Sequence, residues 1–202
     1  MKLVEKTDVL IIGGGPAGLL TAVFSKRYYP EKRVVLIRRE EKVLVPCAIP
    51  YILNTLGSVD KDILSDKLLE KEDVEIVIDE VVKVDREKRR VFTSKGSEWI
   101  YDRLVLATGS EPIKLSVPGS DLGNIFHVYR NKEYLERLKN AIDDASNIVI
   151  IGGGFIGVEL ADEIAKMGKN VTIIELLSHC MIRNFDPEFC EIAEKELKKI
   201  RR

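Results

Sequence analysis

The chain has 202 residues, 45% hydrophobic and 32% charged, with 32 Lys and Arg against 33 Asp and Glu for a net charge of −1. That apolar content supports one large or two small globular domains and excludes intrinsic disorder, which needs low hydrophobicity and high net charge. No apolar run approaches the ~18 residues of a bilayer-spanning helix, and the balanced charge supplies no field for a phosphodiester backbone, so neither a membrane nor a nucleic acid is expected as a partner. Glu5, Lys6 and Asp8 interrupt any apolar leader segment. The cysteines are Cys47, Cys180 and Cys190. Their odd number and the absence of a C-x-x-C pair predict neither a disulfide framework nor a metal site, and a cytoplasmic, reducing location is expected. The charged fraction exceeds the usual quarter, in keeping with a heat-adapted source.

The first predicted element is an apolar strand over residues 9–12, which runs into Gly13-Gly14-Gly15-Pro16-Ala17-Gly18. A helix follows, with Leu20, Val23, Phe24 and Arg27 on one face and Pro30 as its stop. A second strand is predicted over residues 33–37. In such a β-α-β unit the first two glycines of G-x-G-x-x-G let the backbone turn and approach a pyrophosphate, and the third lets helix and strand pack closely. The anion rests on free N–H groups at the helix N-terminus, where the missing N–H of Pro16 costs nothing. An acidic residue that grips the adenosine ribose is expected at the end of the second strand. Here that position holds Arg38, followed by Arg39, Glu40 and Glu41, with Glu40 as the substitute at a shifted position.

Cys47 comes next, in Val45-Pro46-Cys47-Ala48-Ile49-Pro50-Tyr51. A free cysteine is commonly a small buried hydrophobe. This one is predicted to open a short helix running to Leu53, and a helix N-terminus favours the reactive thiolate. Residues 74–107 read as β-rich, with strands over 74–78, 81–84, 90–93 and 98–100. The charged run Arg86-Glu87-Lys88-Arg89 is read as a solvated hairpin turn. An apolar strand over 104–107 ends in Thr108-Gly109, at the carboxyl edge where open α/β sheets bind ligands. A helix over 131–142 has Asn131 as its N-cap and Leu135, Leu138 and Ile142 on one face.

The β-α-β unit then recurs. A strand over 148–151 leads into Gly152-Gly153-Gly154-Phe155-Ile156-Gly157. The helix after it carries Leu160, Ile164 and Met167 on one face and is closed by Gly168, and a strand over 170–175 ends in Glu175. That carboxylate suits the 2′- and 3′-hydroxyls of a ribose and repels a 2′-phosphate, which favours NAD(H) over NADP(H). Asp186 and Pro187 start a last helix whose apolar face is Phe189, Ile192, Ala193, Leu197 and Ile200. His127 and His179 have neither metal-ligand nor triad spacing.

Gly-Gly-Gly-Pro-Ala-Gly, Leu106-Ala107-Thr108-Gly109 and Gly-Gly-Gly-Phe-Ile-Gly-Val-Glu, in this order and spacing, resemble the pyridine nucleotide–disulfide oxidoreductases, which are two-dinucleotide flavoproteins. The resemblance spans essentially the whole chain. It implies an α/β fold of tandem Rossmann-like domains of the glutathione-reductase type, with an FAD-binding domain over 1–120 and a partial NAD(H)-binding domain over 121–202. It implies FAD at Gly13, Gly15, Pro16, Ala17 and Gly18, with Arg38, Arg39, Glu40, Val82, Ala107, Thr108 and Gly109. It implies NAD(P)H at Gly152, Gly154, Phe155, Ile156, Gly157, Glu159 and Glu175.

The Cys47 segment resembles Cys-Gly-Ile-Pro-Tyr of the family branch that holds coenzyme A disulfide reductases, NADH oxidases and NAD(P)H-dependent sulfur or persulfide reductases. That branch uses a single redox cysteine. The C-x4-C branch would need a second cysteine at position 52, where Ile52 stands. The branch often carries Ser and Asn ahead of its cysteine, at positions that hold Val43 and Pro46 here. Lys26 and Arg27 are similar to its basic residues near coenzyme A. The expected reaction passes electrons from NADH through FAD and Cys47 to a small-molecule disulfide, polysulfide or O2. The alternative is a non-autonomous FAD-binding subunit, or a reductase for a protein acceptor, with no cysteine chemistry. Family members are more than twice as long, so a truncated chain or one half of a split enzyme is expected, as a homo-oligomer or with a complementary chain completing the fold.

Overall fold

The computed structural model describes residues 4–199. They divide into two units. One holds the described residues up to Val45 and those of Ile63–Ile113; the other holds Pro46–Asp62 and the described residues from Lys114 onward. Pro46–Asp62, inside the first expected domain by sequence, therefore packs with the second unit.

The first unit is built on a six-stranded sheet. Its elements are β1 (Val4–Ile12), α1 (Pro16–Tyr28), β2 (Val34–Arg38), α2 (Lys67–Lys71), β3 (Glu75–Ile78), β4 (Val81–Asp85), β5 (Arg90–Thr93) and β6 (Glu98–Leu106). The strand order is β3-β2-β1-β6-β5-β4. β3, β2, β1 and β6 are parallel, and β4 and β5 close the sheet as an antiparallel ribbon. The expected strands at 98–100 and 104–107 are one strand, because the exposed Asp102 and Arg103 do not interrupt the pairing of β6 with β1.

The alternation of this sheet explains its core. Ile11, Val34 and Leu36 pack with Leu19, Ala22 and Val23 of α1 and with Leu69 and Val74. Leu10, Ile12, Val35 and Ile37 face Val91, Trp99 and Tyr101 on the other side. Each fully buried Leu, Ile or Val contributes about 1.5–3 kcal/mol, so the central strands are apolar on both faces, as parallel strands require. The expected inward face of α1 is corrected. Of the expected face Val23 is buried, but Leu20 and Phe24 are 48% and 46% exposed, and Gly18, Leu19 and Ala22 are buried beside Val23. The cause is the close seat of Gly18 on Gly13, which turns the row containing Gly18 and Ala22 towards the sheet.

The second unit contains α3 (Lys132–Asp144), β7 (Asn147–Ile151), α4 (Phe155–Lys166), β8 (Asn170–Ile174) and α5 (Pro187–Lys199), with two 3-10 segments, Pro46–Ile52 and Val59–Asp62. β7 and β8 are parallel and in register from Asn147↔Asn170 to Ile151↔Ile174. Asn131 caps α3, its Oδ1 accepting the Tyr134 N–H at 2.9 Å. On α5, Phe189 and Ile192 are exposed, while Ala193 and Leu197 are half-buried and Cys190 is fully buried. Ile200, expected on the same face, lies outside the described residues. Among the described residues no helix is long and apolar enough to cross a membrane.

Candidate functional site

In the first unit, the carboxyl ends of β1 and β6 meet the N-terminus of α1. The Ala107 N–H donates to Ile12 O at 2.8 Å, and the Gly13 N–H to Ile37 O at 2.8 Å. Gly13 has φ +112°, and a Cβ there would overlap the carbonyl of Ala107. A Cβ on Gly18 would overlap the carbonyl of Gly13. Gly15 differs, since a Cβ there would meet nothing within 4 Å. Gly15 is also the N-cap of α1, and no side chain caps it. The result is a bare backbone concavity at a positive helix end, which fits the pyrophosphate of a dinucleotide.

Arg38 forms one wall of this cradle. Its aliphatic stem lies against Gly14, where a Cβ would stand 2.5 Å from Cδ. Its side chain is 5% exposed. The guanidinium donates to both carboxylate oxygens of Asp66 at 2.6 Å and to Glu41 O at 2.7 Å. Arg39 and Glu40 sit outside it, paired with each other at 3.1 Å. Val82 is exposed on β4, just after Asp79, whose N–H donates to Arg38 O at 3.0 Å. Thr108 and Gly109 are exposed beyond Ala107, and Pro16 and Ala17 open α1. Lys26 and Arg27 are engaged within their own unit: Lys26 Nζ donates to Pro30 O and Lys32 O, and Arg27 pairs with Glu72 at 2.8 Å.

Asp66→Asn is expected to destabilise the first unit by about 3 kcal/mol, because it leaves the buried guanidinium without its counter-charge. Urea unfolding measures this; a loss below about 1 kcal/mol, the ordinary worth of a surface pair, contradicts it.

The second unit repeats the cradle. Gly152 has φ +106°, a Cβ on Gly157 would overlap the Gly152 carbonyl, and Gly154, the uncapped N-cap of α4, is open. Phe155 and Ile156 are exposed at the start of α4, and Glu159 is half-buried one turn on. Glu175 follows β8. Its Oε2 accepts the Gly153 N–H at 2.6 Å and its Oε1 the Leu177 N–H at 2.9 Å. The Leu177 and Gly153 amides hold this carboxyl below the usual range, so it is an anion at neutral pH. Beside it lies a 240 Å³ cavity lined by Gly154, Glu175, Leu177, His179, Met181 and Arg183, among others.

The sequence reading missed the last three residues, which belong to a loop that folds back on the cradle through the Met181 N–H to Gly153 O bond, 2.8 Å. It also missed Cys180, whose sulfur would stand 2.6 Å from a Cβ on Gly153. Cys180 supports this loop as Arg38 supports the first. No periodicity marks either residue: Arg38 ends β2, and Cys180 lies six residues beyond the end of β8.

The three thiols differ in exposure. Burial, then the charge of Glu194, pushes the Cys180 and Cys190 thiols up, so both stay protonated. Cys47 is exposed, on the 3-10 segment Pro46–Ile52 whose Ile49, Pro50 and Ile52 are buried. The buried-hydrophobe reading of Cys47 does not apply. Among the described residues no group of three or more His, Cys, Asp or Glu is placed to hold a metal.

Paired strand–glycine–helix cradles define a protein of the two-dinucleotide α/β class. The chain belongs to the pyridine nucleotide-disulphide oxidoreductase family, whose model matches residues 7–200. It is 36% identical over 205 residues to an NAD(P)H coenzyme A polysulfide/persulfide reductase of Pyrococcus horikoshii, covering 96% of this chain and 45% of the relative. It is 31% identical over 200 residues to an NADH oxidase of Methanocaldococcus jannaschii, covering 94% of this chain and 45% of that protein. Among solved structures, an NAD-dependent persulfide reductase from A. fulgidus is similar with a TM-score of 0.86 at 25% identity, over 96% of this chain and 38% of that one. The chain thus spans less than half the length of these relatives.

Proposed function

We propose that this chain supplies the nucleotide-binding and redox-cysteine parts of an FAD-dependent NADH oxidoreductase that reduces a small-molecule disulfide, polysulfide or persulfide. The observation that carries this reading is the repeated cradle: in each unit the middle glycine is open and the helix N-terminus is uncapped. Gly13, Gly15, Pro16, Ala17 and Gly18 would hold FAD, with Arg38, Arg39, Glu40, Val82 and Ala107-Thr108-Gly109 around it. Gly152, Gly154, Phe155, Ile156 and Gly157 would hold NADH, with Glu159 and Glu175. When bound, FAD would supply the redox chemistry that links NADH to the acceptor.

The chain's own residues orient and select. The anionic Glu175 disfavours the 2′-phosphate of NADPH. Cys47 Sγ, the exposed thiol, attacks one sulfur of the acceptor; the S–S bond breaks and the other sulfur leaves as a thiolate. The pair from NADH then restores the thiol and releases the second sulfur. Similarity to a protein named NAD(P)H coenzyme A polysulfide/persulfide reductase and to one named NADH oxidase supports coenzyme A as a further ligand and oxygen as an alternative acceptor. Calorimetry with coenzyme A tests the first of these. Three free thiols suit a reducing compartment such as the cytoplasm.

The decisive measurement is a spectrum. The purified chain, mixed with excess FAD and passed through a desalting column, is expected to retain oxidised-flavin absorbance near ~450 nm and to lose it on anaerobic addition of NADH. A colourless eluate, or a flavin that NADH leaves unchanged, overturns the assignment.

A further inference from the structure

Helix α4 serves two ends of the second unit. Its N-cap Gly154 lies in the open cradle. Nine residues on, about 14 Å at 1.5 Å per residue, stands Glu163, whose side chain is 1% exposed. This carboxylate is fully engaged. Oε2 accepts the Thr55 N–H at 2.7 Å; Oε1 accepts the Thr55 hydroxyl at 2.8 Å and Lys166 Nζ at 3.2 Å. Burial is the largest single influence on its pKa and acts upward, yet the Thr55 and Lys166 bonds outweigh it and hold the carboxyl below its ordinary value. Glu163 is therefore a buried anion.

Thr55 belongs to the piece of chain that carries Cys47. Pro46–Ile52 is a 3-10 helix. It continues through the Leu53 N–H to Pro50 O bond, 3.4 Å, and the Leu56 N–H to Tyr51 O bond, 2.8 Å. Ile49, Pro50, Ile52 and Leu53 are buried. The backbone between Cys47 and Thr55 is thus bonded turn upon turn, so fixing Thr55 fixes where the Cys47 thiol is presented. A leucine at position 163 would fill the space, but apolar contacts tolerate sliding. A carboxylate matched to the N–H and O–H of one residue does not, because a one-residue slip breaks both bonds and leaves a buried charge bare.

We propose that Glu163 is a positioning residue for Cys47: through Thr55 it holds the cysteine segment in register on the helix whose other end forms the nucleotide cradle. The proposal rests on the redox role of Cys47 given above. The test uses the full chain with Glu163→Gln, Thr55→Val, Thr55→Ser and, as control, Cys47→Ser. In Glu163→Gln and Thr55→Val, backbone amide exchange over residues 46–56 is expected to accelerate about tenfold or more while exchange over α1 and β1 stays at the parent rate. In the FAD-loaded protein, kcat for disulfide reduction is expected to fall about tenfold or more, the cost of a misplaced reacting group, with KM for NADH unchanged. Thr55→Ser, which keeps the hydroxyl, restores both readouts.

A merely structural role would instead accelerate exchange throughout and move KM with kcat, and either result overturns the proposal. So do parent-like exchange and kcat in Glu163→Gln and Thr55→Val; Thr55, at an exposed position, gives a variant that folds even if the buried one does not. Cys47→Ser separates the two readings. If it abolishes disulfide turnover while Glu163→Gln does not lower it, the positioning role falls alone. If it leaves turnover intact, the redox role of Cys47 falls and the positioning role with it.

Discussion

Gly18→Ala is expected to unfold or grossly loosen the first unit, whereas Gly15→Ala, three residues away, is expected to fold normally and lose the dinucleotide. The two glycines share a motif but not a reason. A Cβ on Gly18 would overlap the Gly13 carbonyl and approach its carbon at 3.0 Å. That neighbour is backbone, fixed by the Gly13 N–H to Ile37 O bond, so relief requires α1 to back away from β1. Overpacking a core typically costs about 1–3 kcal/mol when side chains can adjust. Here only the helix can move, so the upper end or more applies, a fall in Tm of roughly 4–8 °C per kcal/mol for a unit of this size.

Gly15 is the opposite case. Its φ of −66° and ψ of 179° are open to any residue, and a methyl there meets nothing in the chain. It fills the space a phosphate would use, so FAD affinity is expected to fall about tenfold or more, which is ~1.4 kcal/mol or above, with no change in Tm. Thermal unfolding and an FAD titration on both variants check the pair. Parent-like FAD binding by a well-folded Gly15→Ala variant would show that the open glycine is not a phosphate seat. Gly157→Ala and Gly154→Ala repeat the contrast for NADH.

The legible parts of this protein are those in which sequence neighbours make the structure. The apolar runs 9–12 and 148–151 are both parallel strands, the first buried and the second half-exposed, and the glycines at their ends turn into uncapped helices because the turn, the cradle and the helix start are contiguous. What the sequence hides depends on distant partners. Leu20 and Phe24 fit an inward face by period alone, but the roll of α1 is set by the contact of Gly18 with Gly13. Arg38 occupies the ribose position of the first motif, yet its guanidinium is held by Asp66, which no pattern links to it. Glu163 lies beside the apolar face of Leu160, Ile164 and Met167 and no pattern singles it out; its carboxylate is held by Thr55, in a segment that sequence order assigns to the other domain. A local pattern reports which groups can bind a nucleotide. It does not report which of those groups are already engaged by the fold.

Cys47→Ser is expected to abolish disulfide and polysulfide reduction, a loss on the order of 10³-fold or more in kcat as for other covalent nucleophiles, while NADH still bleaches the flavin. The size of the effect follows from the absence of a substitute. Cys180 lies under the Gly153 loop and Cys190 is fully buried, and burial, reinforced by Glu194, keeps both as thiols. Neither can attack an acceptor disulfide, because attack requires a thiolate in reach of the second sulfur. A hydroxyl at position 47 preserves size and hydrogen bonding but cannot form the mixed disulfide, so reduction of bound FAD by NADH would continue while the route to the disulfide would be closed. Two assays on the same protein separate these fates: anaerobic flavin bleaching, expected to be unchanged, and NADH oxidation dependent on added disulfide, expected to vanish. Alkylation of the parent chain should reproduce the loss with label at Cys47 alone. Undiminished disulfide-dependent turnover in Cys47→Ser would show that electrons reach the disulfide without passing through this sulfur and would overturn its assigned role.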